Sequence, residues 1–538
     1  MTTPYLALEG ATFALPDGSL LFSDLDARFD GRPTGLVGRT GVGKSVLACV
    51  LAGELQLTRG RCLSSGRVHR MAQQACLPPG TTVGTLAGVQ GALDALLRVE
   101  AGQGLPSDFE QLDGRWDLRQ RLQQALSRSG LGTLDPAAPA TMLSGGEAMR
   151  VALAGALLSG ADFLILDEPS NHLDASARRQ LLDSLRAWPA GLLVISHDRQ
   201  LLSALDRIVE LSPQGLRSYA GPYEAYAAAK ARDRQLAVQS LAQRKLERQR
   251  ETLAQREQQE RQARRQAHGR RQARDANQAP VLLGMQKARS EASAGQLQQR
   301  HAARRDQLDE RVREAWQQME PDVPISLRAP RPAPAAQRRL VELQALELPF
   351  VTGPARQIEL TLSGCQRVGV LGANGCGKST LLRVLAGVLT PVAGRCHVAE
   401  GTAWLDQQLA SLAVDRCLLD ELQQGCPHLA PADLRTQLAQ LGLGPAQLGT
   451  PCSRLSGGER MKAALARALL AETPPPLLLL DEPSNHLDLP SLQAVEEMLR
   501  CYRGGLMVVS HDMAFLQALE LTERLVATPD GWRLEPWS

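Results

Sequence analysis

Two glycine-rich segments of this chain have the residue types and spacing that hold a nucleotide phosphate. The first runs from Gly38 to Ser45 (GRTGVGKS) and the second from Gly372 to Ser379 (GANGCGKS). In such a loop the backbone N–H groups converge on phosphate oxygens, the lysine reaches the β- and γ-phosphates, and the serine hydroxyl holds Mg²⁺. Lys378 follows Lys44 by 334 residues, and each loop is followed by the same further residue types. The repeat therefore predicts two ATP sites, which we call site one (Lys44) and site two (Lys378).

The further residues recur at matched spacing and suit phosphoryl transfer to water. A glutamine follows each lysine by 29 residues, and a histidine follows each glutamate of an Asp-Glu pair by 29 residues. The aspartate can complete a magnesium shell, the glutamate can polarise an attacking water, the glutamine can contact both, and the histidine can hold the γ-phosphate. The predicted catalytic residues are Glu168, Glu482, His197, His511, Gln73 and Gln407. The predicted Mg²⁺ ligands are Ser45, Ser379, Gln73, Gln407, Asp167 and Asp481.

A Leu-Ser-Gly-Gly-Glu segment precedes each Asp-Glu pair and has no evident role within its own repeat. It acquires one if the repeats stack head to tail, so that its amides at a helix start cap the phosphate on the opposite loop. Site one then uses Ser456, Gly457 and Gly458, and site two uses Ser144, Gly145 and Gly146. The other predicted ATP-binding residues are Gly38, Arg39, Thr40, Gly41, Val42, Gly43, Lys44, Ser45 and Val46, and Gly372, Ala373, Asn374, Gly375, Cys376, Gly377, Lys378, Ser379 and Thr380.

The elements that must position these residues form an α/β fold. An apolar run enters each glycine loop, a second ends at the Asp-Glu pair, and a third ends at a Ser-His-Asp segment. Apolar runs separated by helical patterns indicate a parallel sheet with the chemistry at the carboxyl ends of its strands. We therefore predict two P-loop cassettes, in residues 1–222 and 336–538. An insertion near 91–117 reads as a small arm on the first cassette, with a plain loop as the alternative.

Residues 223–335 are predicted to be a helical linker between the cassettes. Their composition is rich in Arg, Gln, Glu, Ala and Leu, and helical patterns cover Tyr223 to about Ala267 and Met285 to about Met319. A break at Gly269 to Gly284 separates the two patterns and indicates an antiparallel, coiled-coil hairpin. A solvated charged spacer is the alternative.

Charge is concentrated in this linker. Residues 223–331 contain 23 Lys and Arg against 14 Asp and Glu, and residues 261–289 contain eight against one. A basic, Arg-rich tip without aromatic residues favours contact with an RNA backbone over reading of bases, although a solubility device would have the same composition. The predicted RNA-binding residues are Arg264, Arg265, Arg270, Arg271 and Arg274.

The remaining composition argues against several classes of protein. Ten cysteines without a Cys-x-x-Cys pair argue against a zinc site and against a disulfide framework, and favour a reducing cytoplasm. The longest apolar runs, such as Leu477 to Leu480, are far shorter than the roughly 20 residues that cross a bilayer. The first residues, Met-Thr-Thr-Pro-Tyr, show no signal peptide pattern. We expect a cytoplasmic protein with no membrane contact, a monomer whose cassettes pair within the chain.

Over about 400 of the 538 residues these motifs resemble the ATP-binding cassette superfamily. The Pro-Ser-Asn-His-Leu-Asp after both Asp-Glu pairs, the twin cassettes, the basic linker and the entry segment Tyr219 to Tyr226 resemble its ABC-F family. The resemblance implies an ATPase that binds the ribosome, with the linker in the tRNA exit site near the peptidyl-tRNA and the peptidyl-transferase centre. ATP would favour the closed, bound form, and hydrolysis would release it.

Several alternatives remain open at this stage. The resemblance leaves two functions open: the protein is a general translation factor, or it is an antibiotic-resistance protein that protects the ribosome. The ATPase subunit of a transporter would have no use for the linker, and the DNA-repair ATPases would need zinc cysteines or longer coiled coils. The first cassette departs from the second at Thr40, Val46, Ala148 and Gly155, but neither cassette lacks a catalytic carboxylate or histidine. We therefore expect both sites to be competent and site two to be the weaker. Phe13 and Phe350 are the candidates for adenine stacking, which leaves base selectivity open.

Overall fold

The computed structural model describes residues 4–71, 80–112, 114–171, 173–275, 299, 302–314, 338–406, 412–413, 415–485 and 487–537. The chain forms two compact units. One comprises Met1–Tyr226 with Val323–Ser538 and contains both cassettes, and the other comprises Ala227–Asp322.

The first cassette contains two sheets flanked by helices. A small antiparallel sheet has the order β2-β1-β4, and a six-stranded sheet has the order β5-β6-β7-β3-β8-β9, parallel except for β9. Its strands are β1 Leu6–Ala14, β2 Leu20–Phe29, β3 Thr34–Gly38, β4 Arg59–Ser64, β5 Val68–Met71, β6 Phe163–Asp167, β7 Gly191–Ile195, β8 Arg207–Ser212 and β9 Gly215–Ala220. Its helices are α1 Lys44–Leu51, α2 Val83–Leu86, α3 Gln90–Glu100, α4 Pro106–Leu112, α5 Leu118–Arg128, α6 Gly145–Leu158, α7 Ala175–Arg186 and α8 Arg199–Ser203, with a 3₁₀ turn at Ala140–Met142.

The linker begins with one long helix, α9 Tyr223–Asp275, and residues 302–314 form a second helical segment, α10. Nη1 of Arg248 lies 3.1 Å from Oδ1 of Asp309, so the two segments are in contact. The prediction that a break begins at Gly269 is wrong, because α9 continues through Gly269 to Asp275. The rest of the predicted break, residues 276–284, lies outside the described residues. One glycine inside a helix costs only about 1 kcal/mol relative to alanine, which the helix-forming neighbours offset.

The second cassette repeats the architecture of the first. Its sheets have the orders β11-β10-β13 and β14-β15-β16-β12-β17-β18. Its strands are β10 Arg339–Glu347, β11 Gln357–Ser363, β12 Arg367–Leu371, β13 Ala393–Val398, β14 Ala403–Leu405, β15 Leu477–Asp481, β16 Gly505–Val509, β17 Glu523–Thr528 and β18 Gly531–Pro536. Its helices are α11 Lys378–Leu385, α12 Leu418–Gly425, α13 Pro431–Gln440, α14 Pro445–Leu448, α15 Gly457–Leu469, α16 Leu489–Cys501 and α17 Met513–Ala518, with 3₁₀ turns at Pro354–Arg356 and Cys452–Arg454.

The central strands of both large sheets are buried on both faces, which is why they read as continuous apolar runs. Every residue of β6, β7, β15 and β16 is buried. Side chains from β3, β6 and β7 pack with those of β1, β2 and α1, including Leu36, Ile165 and Leu193. The prediction of an α/β fold with two P-loop cassettes and parallel sheets is confirmed, and the glycine loops follow the carboxyl ends of β3 and β12.

The inserted region of the first cassette is helical. Helices α3 and α4 pack against each other around Ala95, Leu96 and Leu112. Nη2 of Arg98 lies 2.5 Å from Oδ1 of the buried Asp108, whose Oδ2 also accepts a hydrogen bond from the backbone of Leu105. The insertion thus has a small core and its own ion pair. Among the described residues, no helix combines the length and the apolar character needed to cross a membrane.

Candidate ATP sites

Each glycine loop wraps around the side chain of its own lysine. Nζ of Lys44 donates to the carbonyl oxygens of Gly38 at 2.7 Å and Arg39 at 3.0 Å. Nζ of Lys378 donates to those of Gly372 at 2.9 Å and Ala373 at 2.8 Å. The loop's last glycine has φ 100° in site one and 101° in site two, a left-handed conformation that favours glycine. The backbone therefore turns so that α1 and α11 begin at the lysines with their N–H groups open to an anion.

The serine and aspartate predicted to hold Mg²⁺ lie together in both cassettes. Oγ of Ser379 donates to Oδ1 of Asp481 at 3.0 Å, and Ser45 forms the equivalent side-chain hydrogen bond with Asp167. Hard oxygen ligands of this kind suit Mg²⁺, which is typically held by one or two protein groups together with phosphate oxygens and water. No cluster of three or more His, Cys, Asp or Glu side chains suited to a metal occurs in the part of the chain that the structure describes. The other predicted ligands, Gln73 and Gln407, lie outside the described residues.

Glu168 and Glu482 have an unusual backbone conformation. Both have φ 49°, in the left-handed region that non-glycine residues rarely adopt. The N–H of Glu168 donates to the carbonyl of Ile195 at 2.8 Å, and that of Glu482 donates to Val509 at 2.9 Å. The same hydrogen bond thus fixes the same turn in both cassettes. Strained backbone held in this way is typical of functional positions.

A histidine lies beside each glutamate, and burial affects both groups. Nε2 of His197 lies 3.5 Å from Oε1 of Glu168, and Nε2 of His511 lies 3.5 Å from Oε1 of Glu482. Burial raises the pKa of Glu168 to about 8 and that of Glu482 to about 7. Burial, together with repulsion from the loop lysine, lowers the pKa of His197 to about 3 and that of His511 to about 4. The imidazoles are therefore neutral at physiological pH, able to donate from one nitrogen and accept at the other.

Each glycine loop also contacts a carboxylate of the other cassette. The backbone N–H of Thr40 donates to Oδ2 of Asp488 at 2.8 Å, and that of Asn374 donates to Oδ2 of Asp174 at 3.4 Å. The second oxygen of each carboxylate caps a helix, accepting from Ser491 at the start of α16 or from Ala177 at the start of α7. Our sequence predictions omitted both aspartates. Their repeated place at the end of Pro-Ser-Asn-His-Leu-Asp, just before a helix, was the available signal.

Site two contains a cavity of about 450 Å³ between the cassettes. The second cassette contributes most of its lining, including Lys378, Ser379, Glu482, His511 and Phe350. The first cassette contributes Leu173 and Arg178. The structure therefore brings Lys378, Ser379, Glu482 and His511 together at one cavity, which the candidate adenine-stacking residue Phe350 also lines.

The Ser-Gly-Gly-Glu segments begin helices in both cassettes. Oγ of Ser144 accepts from the N–H of Glu147, whose carboxylate accepts from the N–H of Ser144; Ser456 and Glu459 repeat this capping box. Ser144, Gly145 and Gly146 are not among the described residues that line the site-two cavity. The predicted contact of each segment with the opposite glycine loop therefore stays a prediction.

Buried charges join the cassettes beside site one. Nη1 of Arg199, the residue after the Ser-His-Asp segment, lies 2.9 Å from Oε1 of Glu496 in α16. The guanidinium carbon of Arg199 lies 6.0 Å from the ring centre of Tyr223, the first residue of α9. The sequence did not predict this ion pair, because the two residues are far apart in the chain and meet only where the cassettes are in contact.

Among the predicted RNA-binding residues, the structure describes the side chain of Arg264 alone. This side chain is exposed, and its Nη2 lies 4.0 Å from Oε2 of Glu260. The side chains of Arg265, Arg270, Arg271 and Arg274 lie outside the described residues.

Comparison with known proteins gives this arrangement a family. A family model described as ABC transporter matches residues 28–171 and 355–485. The tylosin resistance ATP-binding protein TlrC of Streptomyces fradiae is 31% identical over 94% of this chain and 94% of its own length. ATP-binding cassette sub-family F member 3 of Mus musculus is 29% identical over 90% of this chain and 66% of its own length. The chain belongs to the ABC-F family.

A solved structure supports the fold of this ABC-F protein. The archaeal ribosome recycling factor aABCE1, crystallised with the ribosomal stalk protein aP1, matches over 98% of this chain and 89% of that chain with a TM-score of 0.57. The two sequences are 19% identical, so the match concerns the tandem-cassette fold alone.

Proposed function

We propose that this ABC-F protein is an ATPase that acts on the ribosome in the cytoplasm. The observation that carries the proposal is the repeated cross-cassette contact at the glycine loops, Thr40 with Asp488 and Asn374 with Asp174. Each site also contains a lysine, serine, aspartate, glutamate and histidine from the cassette of that loop. A phosphate bound at the loop is therefore close to residues of both cassettes. Its binding and its loss are expected to change the free energy of pairing between the cassettes.

In the proposed reaction water attacks the γ-phosphorus of ATP, the bond from that phosphorus to the β,γ-bridging oxygen breaks, and ADP and phosphate leave. The loop amides with Lys44 or Lys378 hold the β- and γ-phosphates, and Ser45 with Asp167, or Ser379 with Asp481, would hold Mg²⁺. When bound, the ion supplies charge neutralisation on the phosphate oxygens. Glu168 or Glu482 orients the attacking water, and the neutral imidazole of His197 or His511 donates a hydrogen bond to the γ-phosphate. Gln73 and Gln407 are proposed to contact the water and the metal.

The proposed partner is the ribosome, through its rRNA and a bound tRNA. Two observations support an RNA contact by the linker: the side chain of Arg264 is exposed, and α9 remains helical through Gly269 to Asp275. Family membership supports a place for the linker at the exit site, near the peptidyl-tRNA and the peptidyl-transferase centre. ATP binding would favour the ribosome-bound form, and hydrolysis would release it. The working species is proposed to be a monomer.

Antibiotic resistance is the second candidate within this function. It is favoured by the similarity to a tylosin resistance protein that extends over 94% of both chains. A linker near the peptidyl-transferase centre would then displace the drug or reshape its site. A role as the ATPase subunit of a transporter leaves the long basic helix α9 unexplained.

The ATPase proposal is tested by steady-state hydrolysis with and without purified ribosomes. We expect a basal rate that ribosomes stimulate and that Lys44→Ala/Lys378→Ala abolishes. Glu168→Gln/Glu482→Gln should lower kcat by about 10²–10⁴-fold, because the group that orients the water is lost. Hydrolysis unaffected by any of these changes would contradict the assignment.

The two ribosomal roles are separated by drug susceptibility. The chain and its Lys44→Ala/Lys378→Ala variant are expressed in a tylosin-susceptible host, and the minimal inhibitory concentration is measured. An increase that requires the two lysines supports resistance. No increase, together with ribosome-stimulated hydrolysis, supports a general translation factor.

A further inference from the structure

Arg178 of the first cassette belongs to the cavity of site two. It lies in the first turn of α7, four residues after the capping Asp174, and its exposed fraction is 8%. It lines the cavity together with Lys378, Glu482 and His511 of the second cassette. Its charge is close enough to lower the pKa of His511 and to oppose the rise in that of Glu482. A buried cation of one cassette therefore faces the reaction centre of the other.

The guanidinium of Arg178 is incompletely satisfied. Nη1 lies 3.2 Å from Oδ2 of Asp198, yet neither Nη1 nor Nε makes a hydrogen bond with any described group. A buried polar group without a partner costs about 1–3 kcal/mol, and more when it is charged. The ion pair with Asp198 offsets part of this cost. An anionic ligand in the cavity would supply the oxygens that the guanidinium lacks.

Site one has no counterpart to this arginine. Asp174 and Asp488 occupy equivalent places before α7 and α16, so the residue equivalent to Arg178 is Leu492. Leu492 is 2% exposed and packs in the apolar core of the second cassette. The two cassettes thus differ at one position in both charge and environment.

We propose that Arg178 is a trans-acting ligand of the γ-phosphate in ATP site two, and that site one lacks such a ligand. The inference rests on the proposed ATP binding. Guanidinium and phosphate form short, charge-assisted and often bidentate hydrogen bonds. On ATP binding the guanidinium exchanges its imperfect pairing with Asp198 for the terminal phosphate. Site two then senses the γ-phosphate across the interface, and the two sites are unequal in the direction opposite to the expectation from the sequence that site two is the weaker.

The test compares ATP-like and ADP-like ligands at one site at a time. Proteins carrying Lys44→Ala retain site two alone, and isothermal titration measures the Kd of AMP-PNP–Mg²⁺ and of ADP–Mg²⁺. Arg178→Leu, which copies Leu492, should raise the Kd of AMP-PNP by about 10- to 100-fold, the range of one charged hydrogen bond. The Kd of ADP should change less than about twofold, and Arg178→Lys should recover part of the loss.

Two controls separate phosphate binding from a structural role. With Lys378→Ala, which retains site one alone, Arg178→Leu should leave both Kd values unchanged. Asp198→Asn should leave AMP-PNP binding intact or tighten it, because the arginine is released.

Three results would overturn the proposal: equal losses for both nucleotides, equal losses at both sites, or an Asp198→Asn variant that reproduces Arg178→Leu. If Lys44→Ala protein binds neither nucleotide, ATP binding at site two itself is refuted; normal binding unaffected by Arg178→Leu refutes the role of the arginine alone.

Discussion

Asp488 accepts the backbone N–H of Thr40 at 2.8 Å while capping α16, whereas its equivalent, Asp174, accepts the N–H of Asn374 at 3.4 Å. One carboxylate thus ties a helix start in one cassette to the glycine loop in the other. The shorter distance indicates that the hydrogen bond between the cassettes is the stronger one at site one.

We therefore expect Asp488→Ala to impair site one more than Asp174→Ala impairs site two. Each change removes a helix cap worth about 1 kcal/mol, so the difference between them reports the contact between cassettes. Hydrolysis by site one is measured in a Glu482→Gln background and by site two in a Glu168→Gln background. Asp488→Asn, which retains the cap and an acceptor, is the control. Losses of the same size at both sites would show that the capping role alone matters.

Arg199 and Glu496 should be coupled in stability. Both side chains are largely buried, 14% and 9% exposed, so removing one partner leaves an unpaired charge that costs about 3–5 kcal/mol. The equivalent residues in the opposite cassettes are Met513 and Leu182, so we expect Arg199→Met/Glu496→Leu to recover most of the stability that either single change loses. Denaturant unfolding of the four proteins gives the coupling energy. Additive losses would show that the pair does not act as a unit.

Gly155 should not tolerate a side chain. A Cβ atom built there would lie 1.9 Å from the carbonyl oxygen of Ala87, so α6 could not keep its approach to the end of α2. Gly155→Ala is expected to destabilise the first cassette by about 1–3 kcal/mol, measured as a lower Tm. Gly449→Ala is the matched control, because nothing lies within 4 Å of its Cβ position and its φ of −87° suits alanine. Equal Tm values for the two variants would contradict this explanation.

The sequence was most informative where chemistry is local. The spacing of glycines, lysine and serine predicts the loops around Lys44 and Lys378, and the apolar runs predict β6 and β15, because burial on both faces shows in composition. The positions of Arg178 and Arg199 beside the other cassette have no such signal in the sequence. Arg178 follows Asp174 by one helical turn, and nothing along the chain shows that it faces His511. The helix through Gly269 was missed because the cost of one glycine depends on the helix around it.

The linker arginines should contribute to ribosome binding through charge. Replacing Arg264, Arg265, Arg270, Arg271 and Arg274 by Ala should raise the Kd for ribosomes, with a smaller effect at high salt, because fewer counterions are released on binding. A control protein carries five alanines at exposed cassette arginines, Arg59, Arg61, Arg119, Arg395 and Arg435. Filter binding at two salt concentrations gives the slopes. Equal weakening by both sets would leave only a non-specific effect of net charge.

Sedimentation with ribosomes tests the central claim most directly. Glu168→Gln/Glu482→Gln protein is mixed with cell lysate, with or without ATP, and layered on a sucrose gradient. We predict that ATP drives the protein into the 70S fraction and that it stays near the top of the gradient without ATP. Protein that remains near the top under both conditions would contradict ribosome binding by the ATP-bound form.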